Sequence, residues 1–410
     1  MNMMEASAVA ETAQKPGQAN ATSVCPTCGA IETKLFHKVA NVPTNSCILF
    51  DTRDAAVNCT KGEIELRFCH DCGFIFNAAF RQDLTEYDGR YEETQGFSPT
   101  FSRFHRNLAQ EVIDRHGLQN RKVMEIGCGK GEFLILLSQL GENEGIGIDP
   151  SALPERLDGV PGTERVELIP EYFEPRHCAQ QPDFLCCKMT LEHIPLTSEF
   201  IATIRAGLND DVPTTIFFQV PEADRIIRQC AFEDIYHEHC SYFTEESLRL
   251  LFERNGFQVT RTAIEYDDQY LTIEAVPSAN AQVSDDRAAI DELAQMVASF
   301  PQRLADHKND WRKKVEASKS LGKKIVLWGS GSKAVSFLTS LGISDAIDFV
   351  TDINPNRHNH FMPGTGHLIV PPEQLSEIQP GLVVVMNRIY EKEIAQSLAE
   401  IGVTCDIECL

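Results

Sequence analysis

Apolar and polar positions along the chain fall into three different rhythms. The middle stretch predicts a helix over Phe104–His116 and a fully buried strand over Lys122-Val123-Met124-Glu125-Ile126. A glycine loop follows, then a helix over Glu132–Leu140 and a strand over Gly145–Asp149. Further strands are predicted at Asp183–Cys187 and Thr215–Val220. Strands alternating with helices imply a parallel, doubly wound sheet, so the fold class is α/β. Downstream, a strand-like stretch at Tyr270–Val276 precedes a charge-rich helical region over Asp285–Ser320, which Pro301 should interrupt. A second βα unit then begins: strand Lys324–Trp328, loop Gly329-Ser330-Gly331-Ser332, helix Lys333–Leu341, and a strand from Ile347 that ends near Asp352. The stretch from Val24 to Phe80 is unlike either. It holds short β-like runs such as Glu63–Phe68 and too few apolar residues for a large core. These rhythms divide the chain into a tail (1–22), a small module (23–85), an α/β domain (86–262) and a second Rossmann-like α/β domain (263–410).

Composition narrows the function classes. The chain has 410 residues and a net charge of -23, which repels nucleic acid phosphates. No apolar run reaches the roughly 18 residues that span a bilayer. The first twenty residues lack an apolar signal core and read as a disordered tail. Both points predict a cytoplasmic protein, whose 14 cysteines are thiols or metal ligands.

Four of those cysteines have ligand spacing. Cys25-Pro26-Thr27-Cys28-Gly29 and Cys69-His70-Asp71-Cys72-Gly73 are paired Cys-x-x-Cys-Gly knuckles. Two intervening residues let both sulfurs face one ion, and the glycine permits the tight turn. Cys25, Cys28, Cys69 and Cys72 therefore predict a closed, structural zinc site that supplies what a small core lacks. Cys47 and Cys59 have no partner at ligand spacing. His70 is read as exposed.

The loop Glu125-Ile126-Gly127-Cys128-Gly129-Lys130-Gly131 sits between a strand and a helix. Gly127, Gly129 and Gly131 let the backbone approach a nucleotide-like ligand at the helix N-terminus. Asp149, about twenty residues on, stands where a carboxylate accepts from ribose hydroxyls. NAD and S-adenosylmethionine (SAM) both suit such a loop. Glu125 at the strand end, with Cys128 and Lys130 between the glycines, resembles motif I of class I methyltransferases and favours SAM. In the second loop, Gly329, Gly331 and Lys333 form either a plain strand-to-helix turn or a nucleotide site, with Lys333 on a phosphate and Asp352 on a ribose.

Proton-transfer groups crowd Tyr236-His237-Glu238-His239, and His193 follows a central strand. A metal site made by His193, His237, Glu238 and His239 is the alternative reading of this cluster.

Together the knuckles, Glu125–Gly131, Leu191–Pro195, Tyr236–Tyr242, Asp352-Ile353-Asn354-Pro355 and Phe361-Met362-Pro363-Gly364-Thr365 resemble the sugar C-methyltransferases that act on nucleotide-linked 4-keto deoxysugars. The resemblance implies an N-terminal zinc module, a central class I SAM-methyltransferase domain and a C-terminal Rossmann-like domain. It implies His239 as the base, Glu238 beside it, Tyr236 as acid or enolate stabiliser, His193 at the substrate and Tyr91 over the site. The expected partner is a nucleotide diphosphate sugar, with neither nucleic acid nor membrane. The chain departs from the family's pattern after Tyr91, where Glu92-Glu93-Thr94-Gln95-Gly96-Phe97 stands, and at Met386-Asn387. An oxygen or nitrogen acceptor, or a non-catalytic nucleotide-binding regulator, are the competing expectations.

Overall fold

A computed structural model describes residues 24–86, 90–284 and 286–410. The tail expected over residues 1–22 lies outside the described residues. Among the described residues no helix is long and apolar enough to cross a membrane.

The central sheet has seven strands. Val166–Ile169, Glu144–Ile148, Lys122–Ile126, Phe184–Lys188 and Thr215–Pro221 lie side by side and parallel. The sheet is not wholly parallel, however. Tyr270–Pro277 pairs antiparallel with Thr215–Pro221, and Phe257–Glu265 pairs antiparallel with Tyr270–Pro277. The short turn at Tyr266, Asp267 and Asp268, all at positive φ, joins these two strands as a hairpin, and so short a link excludes a parallel crossover. The third segment thus lends a strand to the second.

The helix before this sheet starts earlier than its apolar pattern suggests, spanning Pro99–His116. Ser98 accepts from the Phe101 N–H at 3.2 Å, Pro99 takes the first turn, and Gly117 closes the end at φ 62°.

The N-terminal module is a four-stranded antiparallel sheet of Thr33–Pro43, Lys61–Cys69, Ile75–Asn77 and Ser241–Tyr242. Its last strand comes from the sequence that follows His239. The C-terminal domain is a five-stranded parallel sheet, ordered Ile369–Val370, Phe349–Thr351, Ile325–Trp328, Leu382–Val385, Asp406–Cys409. Its Phe361–Thr365 stretch docks on the N-terminal module: Phe361 N–H donates to the Phe50 carbonyl and Gly364 N–H to the Ala56 carbonyl, both at 2.9 Å.

Pro301 does not interrupt its helix, which runs unbroken over Arg287–Ser320. The buried stripe Ile290, Leu293, Val297, Phe300, Leu304, Trp311 and Val315 continues through the proline. Each such side chain stabilises by ~1.5–3 kcal/mol when buried, against ~3 kcal/mol lost at one interior proline. In the turn before it, Ser299 Oγ and Arg303 Nη2 both donate to the Met296 carbonyl, at 3.1 and 3.0 Å. The helix touches all three parts: Phe300 meets Phe36 edge-on at 5.7 Å, Trp311 meets Phe337 at 5.5 Å, and Arg303 caps the Ile227 carbonyl at 2.9 Å.

Candidate active site

Ligands of an open α/β sheet bind beyond the carboxyl ends of its parallel strands. Glu125 ends the central strand there, 3% exposed, and accepts from the Leu134 N–H at 3.1 Å in the first turns of Glu132–Gly141. Burial pushes its carboxyl up to about 8, opposed by the nearby Lys188. Gly127, Gly129 and Gly131 all have positive φ. At Gly127 a Cβ would lie 2.2 Å from Thr190 Oγ1, so no side chain fits. Above Gly129 a Cβ would meet only Glu93, at 3.6 Å, which leaves the loop backbone open. Asp149 is engaged with the loop itself: Oδ2 accepts from the Gly129 N–H at 3.0 Å, and Oδ1 accepts from Ser151 N–H and Oγ at 2.7 Å.

His237 and Glu238 form a turn before the short strand Ser241–Tyr242, and the turn brings Tyr236 and His239 together. His239 Nε2 lies 2.9 Å from the Tyr236 hydroxyl, and its ring meets His193 edge-on with centroids 4.9 Å apart. His193 Nδ1 donates to the Glu238 backbone carbonyl at 3.1 Å, because a carbonyl only accepts. Burial lowers His193 to about 4 and holds His239 well below the usual imidazole range. Burial also raises the Tyr236 phenol well above its ordinary value. His239 is therefore a neutral imidazole beside an intact phenol.

Glu238 does not lie beside the base. Its carboxylate faces the N-terminal module, accepting from Ser46 N–H at 2.8 Å, from Ser46 Oγ, from Asn45 Nδ2 at 3.2 Å and from Tyr91. His237 packs on Phe80, rings 5.2 Å apart, over Gly62, where a Cβ would be 2.6 Å from its imidazole. The metal set His193, His237, Glu238 and His239 is thus not assembled. The structure gathers Glu192, His193 and His239 instead, one ligand-type atom from each lying within 4.8 Å of the others. Glu192 was missed in the sequence, although it adjoins His193 in the short 3-10 turn Leu191–His193.

A cavity of about 250 Å³ opens against Tyr236 and His239, and the second glycine loop forms another of its walls, with Gly329, Gly331, Ser332 and Lys333. Lys333 and Asp352, which line this cavity, both have partners of their own. Lys333 Nζ pairs with Asp234 at 2.5 Å, and Asp234 also pairs with Arg225. Asp352 Oδ2 accepts from Ser330 N–H and Oγ, each at 2.7 Å. The cation the sequence did not single out is Arg357, buried in the wall and donating to Ser330 Oγ at 3.4 Å and to the Glu92 carbonyl. Glu92 links both loops, with Oε1 2.7 Å from Lys130 Nζ and 3.1 Å from Asn354 Nδ2.

The two knuckles meet. Cys25 and Cys72 sulfurs are 3.7 Å apart and Cys28 and Cys69 sulfurs 3.5 Å apart, all four within 4.8 Å. Tetrahedral zinc–thiolate bonds of about 2.3 Å set sulfurs about 3.8 Å apart, so the residues fit the ion. Gly29 and Gly73, at φ 77° and 73°, each donate to the first cysteine's carbonyl of their knuckle at 2.9 Å.

Residues 101–262 match the family model of a methyltransferase domain. With the Glu125 loop at the sheet's carboxyl edge, this defines a SAM-dependent methyltransferase. Residues 270–404 match the C-methyltransferase C-terminal domain. The C-methyltransferase NovU of Streptomyces niveus is 26% identical over 398 residues, 92% of each chain. The chain thus carries a methyltransferase domain followed by a C-methyltransferase C-terminal domain, and over most of its length it is similar to a C-methyltransferase. Solved structures with a similar fold include a SAM-dependent methyltransferase from Aquifex aeolicus (17% identity, TM-score 0.34, 44% of this chain and 94% of that one). Another is the magnesium protoporphyrin IX methyltransferase of Synechocystis PCC 6803 with bound SAH (17%, 0.36, 46% and 90%).

Proposed function

We propose that the protein methylates a carbon beside the keto group of a nucleotide-linked deoxysugar. The observation that supports this reading most is the shared cavity, which sets the His239–Tyr236 pair opposite the second glycine loop. When bound, SAM supplies an electrophilic methyl group. His239, neutral and buried, takes the proton from the carbon, and the bond's electron pair stays on the substrate as an enolate. The Tyr236 hydroxyl, 2.9 Å from His239, is placed to donate to the enolate oxygen. Gly127–Gly131 and Glu125 would hold the methyl donor, Glu125 toward its amino acid portion. The Gly329–Lys333 loop and Arg357 hold the nucleotide diphosphate. Alignment of the two partners contributes much of the rate. Cys25, Cys28, Cys69 and Cys72 hold a structural zinc ion, which fixes the sheet carrying Ser241–Tyr242 and so the loop bearing His239. Tyr91 and Glu238 join that module to the same loop.

The test is incubation with methyl-labelled SAM and a panel of nucleotide 4-keto sugars, with the methyl located by NMR. A new carbon–methyl bond beside the keto carbon is expected. Label on oxygen or nitrogen would sink the reading, as would full turnover by His239→Gln.

A further inference from the structure

One group at the active site has no use in the chemistry above. Glu192 is 1% exposed, and neither carboxyl oxygen has a hydrogen-bond partner. Its backbone is fixed beside the catalytic loop, for its carbonyl accepts from the Cys240 N–H at 2.9 Å. Its carboxyl lies with the His193 and His239 imidazoles in one cluster, ligand-type atoms all within 4.8 Å. Lys188 is the cation that faces it, yet the Lys188 ammonium is 3.1 Å from His105 Nε2 and 4.5 Å over the Phe133 ring. Burying a carboxyl with nothing to bond it destabilises a fold, and an apolar side chain of that size would serve packing better. A purely structural role leaves this residue unexplained.

We propose that Glu192 is a positioning residue for His239: with His193 it holds the imidazole, and its carboxylate balances the imidazolium that forms when His239 takes the substrate proton. The proposal rests on His239 as the base. In the step, the substrate C–H bond breaks, an N–H bond forms on His239, and the electron pair remains on the substrate. The proton leaves for solvent after methyl transfer. His193 already gives its Nδ1 proton to the Glu238 carbonyl, so it orients rather than neutralises. The other titratable groups facing Glu192 are Cys187, Tyr236, Cys240 and Tyr270, all held neutral by burial. Asp234 and Lys333 face His239 and pair with each other.

Burial raises the Glu192 carboxyl to about 8. The carboxylate exists above that pH, so the cluster takes up a proton near pH 8 as pH falls, and methyl transfer rises through the same range as pH climbs.

The test uses the full chain with carbon-13 in the histidine Cε1 positions, the His239 signal being assigned by its loss in His239→Gln. In the native protein the His239 signal moves between pH 7 and 9. In Glu192→Gln, and in the apolar Glu192→Met, it stays flat there. Glu192→Met keeps the test informative if the amide misfolds. The turnover limit falls about 10²-fold with KM nearly unchanged, the size expected when an acid–base partner is lost. An unchanged His239 titration overturns the proposal. So does a turnover loss with an unaltered pH profile, or a divalent ion lost on Glu192→Gln but kept in Cys69→Ser. Full turnover by His239→Gln with the titration intact would instead defeat the assignment of the base.

Discussion

The two glycine loops occupy equivalent places in two α/β sheets, and they agree where the sequence suggested ligand binding. In each, the aspartate after the next strand accepts from a loop N–H with Oδ2, Gly129 at 3.0 Å and Ser330 at 2.7 Å. In each, Oδ1 accepts from the N–H two residues on, Ser151 or Asn354. Asp149 and Asp352 are therefore loop fasteners common to both modules, and neither distinguishes a methyl donor from a nucleotide. The loops differ one strand end earlier. Two residues before the first glycine, Glu125 is a buried carboxyl, whereas the buried Leu327 stands in its place before Gly329. The first loop has three glycines at positive φ and the second only Gly329, at φ 105°. The donor's identity rests on that contrast.

The largest effect should come from Gly127→Ala, which meets Thr190 at 2.2 Å in a backbone at φ 69°. SAM binding by calorimetry should fall by about 10²-fold or more, as strain and clash of ~3 kcal/mol imply. Gly331→Ala, whose Cβ would be 3.7 Å from Arg357 at an ordinary φ, should leave SAM affinity unchanged and raise the substrate KM. Equal loss of SAM binding in both variants would erase the contrast.

Removing the zinc ligands comes next. On the proposed reading, Cys69→Ser with Cys72→Ser should abolish a metal content of about one zinc per chain and depress turnover more than SAM affinity, because the ion would support the His239 loop. Metal analysis alongside calorimetry checks both.

The Glu125 carboxyl gives a pH signature that the second loop lacks. Raised to about 8 in the fold, against roughly 4.3 unfolded, it binds more protons folded than unfolded between those values. Its contribution to stability is thus greatest in acid and declines as pH rises from about 4 to about 8. Glu125→Gln should flatten that decline in ligand-free unfolding curves, and SAM affinity should rise toward pH 8 only in the native protein. The smallest effect belongs to Glu92→Gln, which loosens Lys130 from Asn354. A several-fold change in how substrate affects SAM affinity, ~1 kcal/mol of coupling, is expected from paired titrations.

Much of this was legible in the chain. Lys122–Ile126 needed only its apolar run, the knuckles only their spacing, and Glu125 only its place before the glycines. What escaped depended on partners far away. The antiparallel direction of Tyr270–Pro277 follows from the short link at Tyr266–Asp268 only once Phe257–Glu265 is known to be a strand, and that segment is mostly exposed or half-buried without a clean alternation. Pro301 obeyed a tertiary stripe over a local rule. Glu238 and His237 looked like neighbours of His239, but they sit in a turn that joins Tyr236 to His239 and leaves their own side chains on the N-terminal module. Nothing local to Lys333 showed that Asp234, 99 positions earlier, pairs with it.

The strand Ser241–Tyr242 has a consequence for how the protein is made. The N-terminal sheet cannot be closed until residue 242 has left the ribosome, since Ile75–Asn77, buried along its whole length, waits for that edge. From residue 77 to residue 242 of synthesis the nascent module carries a bare apolar strand edge, the kind that invites pairing with other chains. Such a long-range closure makes folding slow and non-modular. Residues 24–86 expressed alone should aggregate, and metal bound early at the knuckles would steady the module while its last strand is still being translated.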